Sequence, residues 1–394
     1  MKVPLMLRSR HHEAVAVLQE KLANARIRQA ELEGKVRALS EGRKADKARL
    51  SALALRGEEH QAAANQQRLA LLDRVAAARA GAFRRRDQPV PMVLGVDVEP
   101  DARTVDLADP SWRGTTLFLE KWRGLEARLQ TASGGAPVPL TWFPRADPQV
   151  AKSNGAASYA LQHFARDWDA LLKQGHEIGL HMHPWRWHND DQGGGGYWSQ
   201  DHGDAVWMEH CLRSSIAEYR SHFGHTPPVY RGGDHYLNDA LVRILEEEGV
   251  GLDMTVELLP AQQRLVETEH GTGFLPDCSV APAHAYRPSV ADFRVEDPAK
   301  KDGLGILPLT AYQGGSLRLW DPNETVDEAL EDLMGHDNAP THLAFVIRSQ
   351  IADTGYWAAF EENALSLARR VREGSLEFVT ATQAWRAATG HPRG

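Results

Sequence analysis

Two short segments carry side chains that could hold a metal ion. An apolar segment ends in Asp97 and Glu99, and about eighty residues later a second one contains His181 and His183. Residues two apart in a strand point to the same face, so each pair is predicted to share one face of its strand. If the two strands are neighbours in a parallel sheet, two carboxylates and two imidazoles meet at their carboxyl ends, a mixture that zinc and similar ions accept. The spare carboxylate could then act as a base.

The elements that must position these side chains follow from the rhythm of the sequence after residue 91. Strand-like and helix-like segments alternate there, which is typical of an α/β domain. The predicted strands cover residues 92–98, 138–143, 177–181, 342–347 and 376–380. The predicted helices cover residues 114–130, 156–174, 205–223, 238–248 and 357–372. Such repeats indicate a barrel-like parallel sheet, in which chemistry collects at the carboxyl ends of the strands.

The beginning of the chain has a different character. Residues 11–80 lack proline, consist mainly of helix-forming residues, and place apolar residues in a three–four alternation. This pattern predicts a long coiled coil, with a helical hairpin as the alternative. Pro89 and Pro91 end any helix, so the predicted domains are a helical arm, residues 1–88, and an α/β domain, residues 89–394. The arm has no catalytic constellation and is assigned to homo-oligomerisation or partner binding.

Composition limits the possible classes of protein. The chain has 394 residues and a net charge of −8, but residues 1–90 carry 19 Lys and Arg against 10 Asp and Glu. These charges are interspersed at helical spacing, which favours a solvated helix face over nucleic-acid binding. Because Cys211 and Cys278 are the only cysteines, any metal must be held by His and carboxylates. No apolar run could span a bilayer or act as a signal peptide, so we expect a cytoplasmic protein.

The order of motifs resembles the polysaccharide deacetylases of carbohydrate esterase family four, the chitooligosaccharide-deacetylase-like proteins, over about residues 91–385. The most specific match is the run Gly-His-Glu-Ile-Gly that leads into the two histidines. The resemblance implies a distorted (β/α) barrel, with Asp97 as the catalytic base and Glu99 as a metal ligand. The His-x-His-Pro-Trp ending is similar to a branch found in surface-polysaccharide pathways, and it implies His181 and His183 as ligands. His188 is the reserve for the second histidine.

Three further residues are implied by the later family motifs. Arg231 resembles the arginine that orients the base, and Asp253 resembles the acid that fixes this arginine, with Asp277 as its competitor. Family members end a late strand with a histidine that protonates the leaving amine, but Arg348 follows that strand here. Arginine stays charged and cannot serve as a general acid. His235 is the alternative proton donor.

Aromatic residues flank a run of four glycines. Trp185, Trp187, Tyr197 and Trp198 could stack on sugar rings, or they could simply anchor a surface loop. The glycines lack the Lys-Ser/Thr of a phosphate-binding loop, and the sequence has no Gly-x-Ser-x-Gly elbow, so nucleotide triphosphate binding and serine hydrolysis are not expected.

Together these features predict a metal-dependent hydrolase, with Zn²⁺ as the expected ion, that removes an N-acetyl group from a sugar in a surface-polysaccharide precursor. The first alternative is a catalytically inactive deacetylase-like protein that binds a glycan or a partner. The second is a hydrolase of other linear amides on the same fold.

Overall fold

The computed structural model describes residues 88–190, 195–260, 271–335 and 340–390. Residues 1–87, which contain nearly all of the predicted helical arm, lie outside the described residues, so the coiled coil remains a prediction. Within the described ranges, none of the helices combines the length and the apolar character that crossing a membrane requires.

Short strands build the centre of the domain. Over the described residues they are β1 Val90–Val98, β2 Thr141–Pro144, β3 Glu177–Ile178, β4 Leu180–Met182, β5 Trp185–Asn189, β6 Gly196–Asp201, β7 Val229–Gly232, β8 Leu252–Asp253, β9 Gly271–Thr272, β10 Gly305–Ile306, β11 Ala311–Tyr312, β12 Gly315–Ser316, β13 Leu343–Arg348 and β14 Leu376–Phe378.

Two parallel sheets are formed by these strands. In the first, β1 pairs with β13, β14 and β2, and β2 pairs with β3. In the second the order is β10-β8-β7-β4. A parallel bridge from Arg145 to His181 connects the sheets on one side, and the Thr310 N–H donates to the Ala344 carbonyl at 2.9 Å on the other. The α/β class with parallel strands is therefore confirmed, whereas closure into one barrel remains a prediction.

Helices cover the outside of these sheets. Over the described residues they are α1 Arg113–Ala132, α2 Pro148–Asn154, α3 Tyr159–His163, α4 Ala165–Lys173, α5 Ala205–Phe223, α6 Asp239–Glu247, α7 Asn323–Gly335, α8 Tyr356–Arg372 and α9 Ala381–Thr389. Their apolar faces pack on the sheets; for example, Phe118 of α1 contacts Trp142 of β2 and Trp357 of α8 edge-on.

Most predicted elements are present, but one helix is broken. The segment 156–174 is not a single helix, because the backbone of Phe164 leaves the helical region and separates α3 from α4. Helices α2, α7 and α9 and the antiparallel pair β5–β6 were not predicted. Helices α2 and α9 and both strands are short, and α7 is mostly polar, so periodicity gives a weak signal over these segments.

The central strand β1 is buried on both faces, as parallel strands usually are. Its even-numbered residues belong to the large core beneath the helices, whereas Val93 belongs to a smaller inner cluster with Val229, Met254 and Val346. Asp97 and Glu99 continue the face of Val93 because strand side chains alternate. The inner cluster thus forms the floor beneath both acids.

Candidate metal centre

The alternation of neighbouring strands brings the candidate ligands to one place. On β4, Leu180 and Met182 face the large core, so His181 and His183 point to the opposite, inner side. In the simplest arrangement β4, which carries the histidines, would be a direct neighbour of β1. In the structure β2 lies between the two strands. The two pairs of side chains nevertheless meet above the inner cluster.

Glu99, His181 and His183 form a buried group with the spacing of a metal site. The Oε2 atom of Glu99 lies 3.3 Å from Nε2 of His183 and 3.9 Å from Nε2 of His181. One ligand atom from each residue lies within 4.8 Å of the others, and all three residues are buried. One carboxylate and two imidazoles are a usual ligand set of catalytic Zn²⁺.

Hydrogen bonds fix which nitrogen of each imidazole is available. The Nδ1 atom of His181 lies 2.9 Å from the carbonyl oxygen of Arg231, which can only accept, so Nδ1 carries the proton. The Nδ1 atom of His183 lies 3.0 Å from the carboxylate of Asp234 and donates in the same way. Both Nε2 atoms therefore point into the cluster, where each could ligate a metal ion in its unprotonated form.

The Nε2 atom of His181 is buried and has no hydrogen-bond partner. Burial lowers the pKa of this histidine to about 4, so the imidazole is neutral at pH 7. A buried, neutral nitrogen without a partner is unfavourable unless something binds it. The residues present thus fit a divalent cation bound by Glu99, His181 and His183.

Two arginines also lie beside Glu99, one at each carboxylate oxygen. Arg348 donates from Nε to Oε1 at 2.5 Å, and Nη1 of Arg145 lies 3.7 Å from Oε2. Burial raises the pKa of Glu99, but the charges of Arg348 and His183 outweigh it and hold this pKa well below its usual value. Glu99 is therefore ionised, with Oε2 directed at the histidines.

Asp97 forms a separate pair with Arg231. Nε of Arg231 donates to Oδ1 at 2.8 Å, and both side chains are about 5% exposed. The Oδ2 atom of Asp97 lies 4.0 Å from Nε2 of His181. Nε of Arg231 also donates to Oδ2, at the longer distance of 3.1 Å. The arginine thus holds the carboxylate while Oδ2 faces the metal cluster, which suits a base positioned beside a bound ion.

Asp253 does not hold Arg231 as the family motif implies. The carboxylate of Asp253 accepts from the backbone N–H and the hydroxyl of Thr255, at 2.9 and 2.6 Å. Nη1 of Arg231 instead donates to the carbonyl of Met254. Leu252 and Met254 face the inner cluster, so alternation turns the residue between them away from the site. Burial raises the pKa of Asp253 to about 7.

The competitor, Asp277, is also outside the site. Its carboxylate accepts from the backbone N–H and the hydroxyl of Ser279, at 3.0 and 2.6 Å, which stabilises a local turn. It belongs to no metal-binding group among the described residues.

His235 lies beside the centre but not in it. Its Nδ1 atom is 3.2 Å from Oε2 of Glu257, and its side chain is 24% exposed. It lines a cavity of about 220 Å³ together with Asp234, Glu257 and Arg318. Burial lowers the pKa of His235 to about 4, although the carboxylate of Glu257 acts in the opposite direction. A cavity-facing imidazole paired with a carboxylate can exchange a proton with a bound molecule.

The reserve ligand His188 points away from the cluster. Its Nε2 atom shares a hydrogen bond of 2.7 Å with the hydroxyl of Ser199 and lies 3.7 Å from Asp201. His183, rather than His188, is the second histidine of the buried group.

Two of the four candidate aromatic residues are part of the core. Trp185 is 1% exposed and Trp198 is 5% exposed, so neither presents a ring face to a ligand. Both residues lie on the β5–β6 hairpin, which was not predicted. Tyr197 is 38% exposed and Trp187 is half-buried, so only these two could stack on a sugar.

The Gly-His-Glu-Ile-Gly run is structural in this protein. Nδ1 of His176 accepts from the backbone N–H of Leu140 at 2.9 Å, and the carboxylate of Glu177 accepts from the backbone N–H of Thr382 in the first turn of α9. These bonds fix β3 against β2 and α9. They hold the start of the segment whose end supplies the ligands.

Sequence reasoning missed a second layer of polar residues. Arg145 donates to Asp147 at 2.7 Å, Asp147 accepts from the backbone N–H of His183 at 3.0 Å, and Asp234 accepts from the imidazole of the same histidine. In the structure these residues are recognised because they are charged, buried and next to the ligand segment. Their spacing in the sequence does not reveal them, because they lie on different elements.

Solved structures offer a comparison for this fold. A protein of Mycobacterium smegmatis assigned to the polysaccharide deacetylases is 14% identical, with a TM-score of 0.45 over 78% of this chain and 94% of that one. A protein of Parabacteroides distasonis assigned to the glycoside hydrolases or deacetylases is 14% identical, with a TM-score of 0.46 over 78% of this chain and 73% of that one.

A peptidoglycan deacetylase of Bacillus subtilis is 11% identical, with a TM-score of 0.35 over 78% of this chain and 95% of that one. No family model matches the chain, and neither does any curated protein sequence. Because the identities are below 25% and the TM-scores below 0.5, the chemistry of this chain has to be argued from its own side chains.

Proposed function

We propose that the protein is a metal-dependent hydrolase that removes an N-acetyl group from a sugar. The observation that supports the proposal is the buried group Glu99–His181–His183, with both Nε2 atoms turned inward, beside the pair Asp97–Arg231. A divalent ion such as Zn²⁺, when bound there, would polarise the amide carbonyl and make water more acidic. The choice of an acetylated sugar in a surface-polysaccharide precursor comes from the motif resemblance.

The chain's own residues would supply the proton transfers. Asp97 would take a proton from the attacking water through Oδ2, the oxygen nearer His181, and Arg231 would keep that carboxylate oriented. His235 would deliver a proton to the departing amine from its position at the cavity. Because burial lowers its pKa to about 4, this imidazole is neutral at pH 7 and would have to take up a proton before it donates one. Tyr197 and Trp187 are the aromatic side chains left to contact the sugar.

Metal content is the first test of the proposal. We expect about one zinc-like ion per chain in purified protein, lost in His181→Ala because a ligand is removed. The solvent-exposed His210 provides a matched control, and His210→Ala should retain the ion. Protein that folds without binding any divalent metal would contradict the proposal.

The reaction itself is tested by acetate release from a panel of N-acetylated sugars. Release that depends on the metal and disappears in Asp97→Asn supports deacetylation. Bound metal without release from any sugar would favour a hydrolase of other linear amides.

Arg348 motivates the alternative of an inactive, binding protein. It occupies the end of β13, pairs with Glu99, and cannot act as a general acid. Folded protein that binds glycans but neither holds metal nor releases acetate would support this alternative.

For residues 1–88 we propose homo-oligomerisation through the coiled coil. Light scattering of the full chain and of a chain starting at residue 89 tests this, because it gives the number of copies per particle. The same number of copies in both would contradict the proposal.

A further inference from the structure

Asp234 is a buried carboxylate that none of the family motifs assigns. Its side chain is 0% exposed and accepts from three side chains of different segments. These donors are Nδ1 of His183 at 3.0 Å, Nη1 of Arg103 at 2.5 Å, and Nε2 of Gln200. A buried charge with this many donors is fixed in position, because each of them restricts where its oxygens can lie.

The backbone around Asp234 has an unusual conformation. Asp234 has a φ of 55° and His235 a φ of 57°, which is the left-handed region that non-glycine residues rarely adopt. Strain of this kind persists only where surrounding contacts impose it, and it concentrates at functional sites. Here it turns Asp234 towards His183 and His235 towards the cavity.

The preceding glycine allows this loop to lie directly on the metal ligand. A Cβ atom at Gly233 would come within 2.3 Å of Nδ1 of His183, so no larger residue fits without displacing the imidazole. The loop from Gly233 to His235 therefore contacts the imidazole of His183 through both its backbone and the Asp234 carboxylate.

We propose that Asp234 is the positioning residue of the metal ligand His183. By accepting a hydrogen bond from Nδ1 of His183, Asp234 keeps the Nε2 atom of this histidine directed at the cluster. Its bonds to Arg103 and Gln200 hold the Asp234 carboxylate in place. Partners of this kind orient ligating histidines and raise their basicity. The inference rests on the proposed function only in that a divalent ion must bind at Glu99, His181 and His183.

The test is zinc affinity, measured by competition with a chelating indicator on folded protein. Asp234→Asn keeps the size of the side chain but removes its charge, and we expect zinc to bind about 10–100-fold more weakly. We also expect the visible absorption spectrum of the Co²⁺-loaded protein to change, because the ligand geometry becomes less defined. A purely structural role would lower the melting temperature without altering this spectrum.

Asp327→Asn is the matched control. Asp327 accepts from Ser366 at 2.8 Å and from Arg370 at 3.3 Å, so the change removes a similarly bonded carboxylate in another part of the domain. Its zinc affinity should equal that of the wild type. If Asp234→Asn does not fold, Gly233→Ala replaces it: this variant keeps the carboxylate but displaces the imidazole, and it should also weaken zinc binding.

The possible outcomes separate this inference from the proposed function. Wild-type affinity and spectrum in both Asp234→Asn and Gly233→Ala would overturn the positioning role while leaving the metal centre intact. A wild-type protein that binds no zinc would overturn the metal centre and this inference together. Weaker zinc binding in the variants, with no acetate released from any sugar by the wild type, would support the role of Asp234 and contradict deacetylation.

Discussion

At the residue scale, two acids that are two positions apart have different partners. Asp97 is bonded to Arg231, whereas Glu99 contacts the two histidines through one oxygen and Arg348 through the other. These partners favour a base role for Asp97 and a ligand role for Glu99. Their sequence spacing alone would allow either assignment.

Isosteric amide substitutions should separate the two roles. We expect Asp97→Asn to bind zinc with nearly wild-type affinity while acetate release falls by about 10²–10⁴-fold, the usual contribution of a general base. Glu99→Gln should weaken zinc binding by roughly tenfold or more, since even residues that only orient a ligand contribute about this much. Chelator competition and acetate assays measure both effects. Equal zinc affinity in the two variants would contradict the assignment.

Arg348 should control how acid affects metal binding. It helps to keep the pKa of Glu99 low, so the carboxylate stays ionised in mild acid. In Arg348→Gln this pKa rises, and protonation of Glu99 should compete with the metal at a higher pH. We therefore expect zinc affinity to fall more steeply between pH 7.5 and 5 than in the wild type.

The control for this prediction is Arg113→Gln. Arg113 forms an ion pair with Asp353 and its side chain is 69% exposed, so the pH dependence of zinc binding should not change. An Arg348→Gln variant with the wild-type pH dependence would show that Arg348 does not govern the charge of Glu99.

At the element scale, Gly179 is the single residue between strands β3 and β4. It separates β3, which belongs to the first sheet, from β4, which belongs to the second. A Cβ atom there would lie 2.7 Å from the Val229 carbonyl oxygen and 2.8 Å from the Phe143 ring. The crossing between sheets that places the two histidines therefore requires a residue without a side chain.

Gly179→Ala should destabilise the domain by about 1–3 kcal/mol, because the methyl group overfills a packed site. Gly124 is the matched control: it is exposed on α1, and a Cβ atom there meets nothing within 4 Å. Gly124→Ala should be neutral or stabilising by up to about 1 kcal/mol, since alanine favours helix. Urea unfolding measures both, and equal midpoints would show that the crossing tolerates a side chain.

At the scale of the whole molecule, several histidine side chains are buried. Burial lowers the pKa of each of them to about 4; they are His181, His202, His235 and His342. In the unfolded chain the same groups titrate near 6.5. Between pH 6.5 and 4 the unfolded chain therefore binds more protons, and these histidines make the folded state less stable as the pH falls.

His342 allows this effect to be measured away from the metal centre. Its Nε2 donates to the Pro308 carbonyl at 2.8 Å, a bond that glutamine can replace. On going from pH 6.5 to 4, the free energy of unfolding should fall less in His342→Gln than in the wild type. The difference between the two proteins should be about 3 kcal/mol at most, since one pKa unit corresponds to roughly 1.4 kcal/mol. The buried Asp253, whose raised pKa acts in the opposite direction, contributes equally to both proteins. Parallel stability curves would contradict the prediction.

The sequence by itself determined the local geometry of the site. Strand alternation has a fixed period of two, so Asp97 with Glu99, and His181 with His183, had to share faces once their segments became strands. The α/β class and most strand and helix positions followed from equally local patterns. Breaks such as the one at Phe164 depend on packing and were not foreseen.

Only the tertiary structure decided which partners each functional side chain has. Arg348 reaches Glu99 across 249 residues of sequence, and Asp234 reaches His183 across 51 residues through a left-handed turn. Contacts between distant segments depend on how sheets and loops pack. The periodicity of apolar residues in the sequence depends only on neighbours within about two turns of a helix or a few residues of a strand. It therefore cannot predict contacts between distant segments.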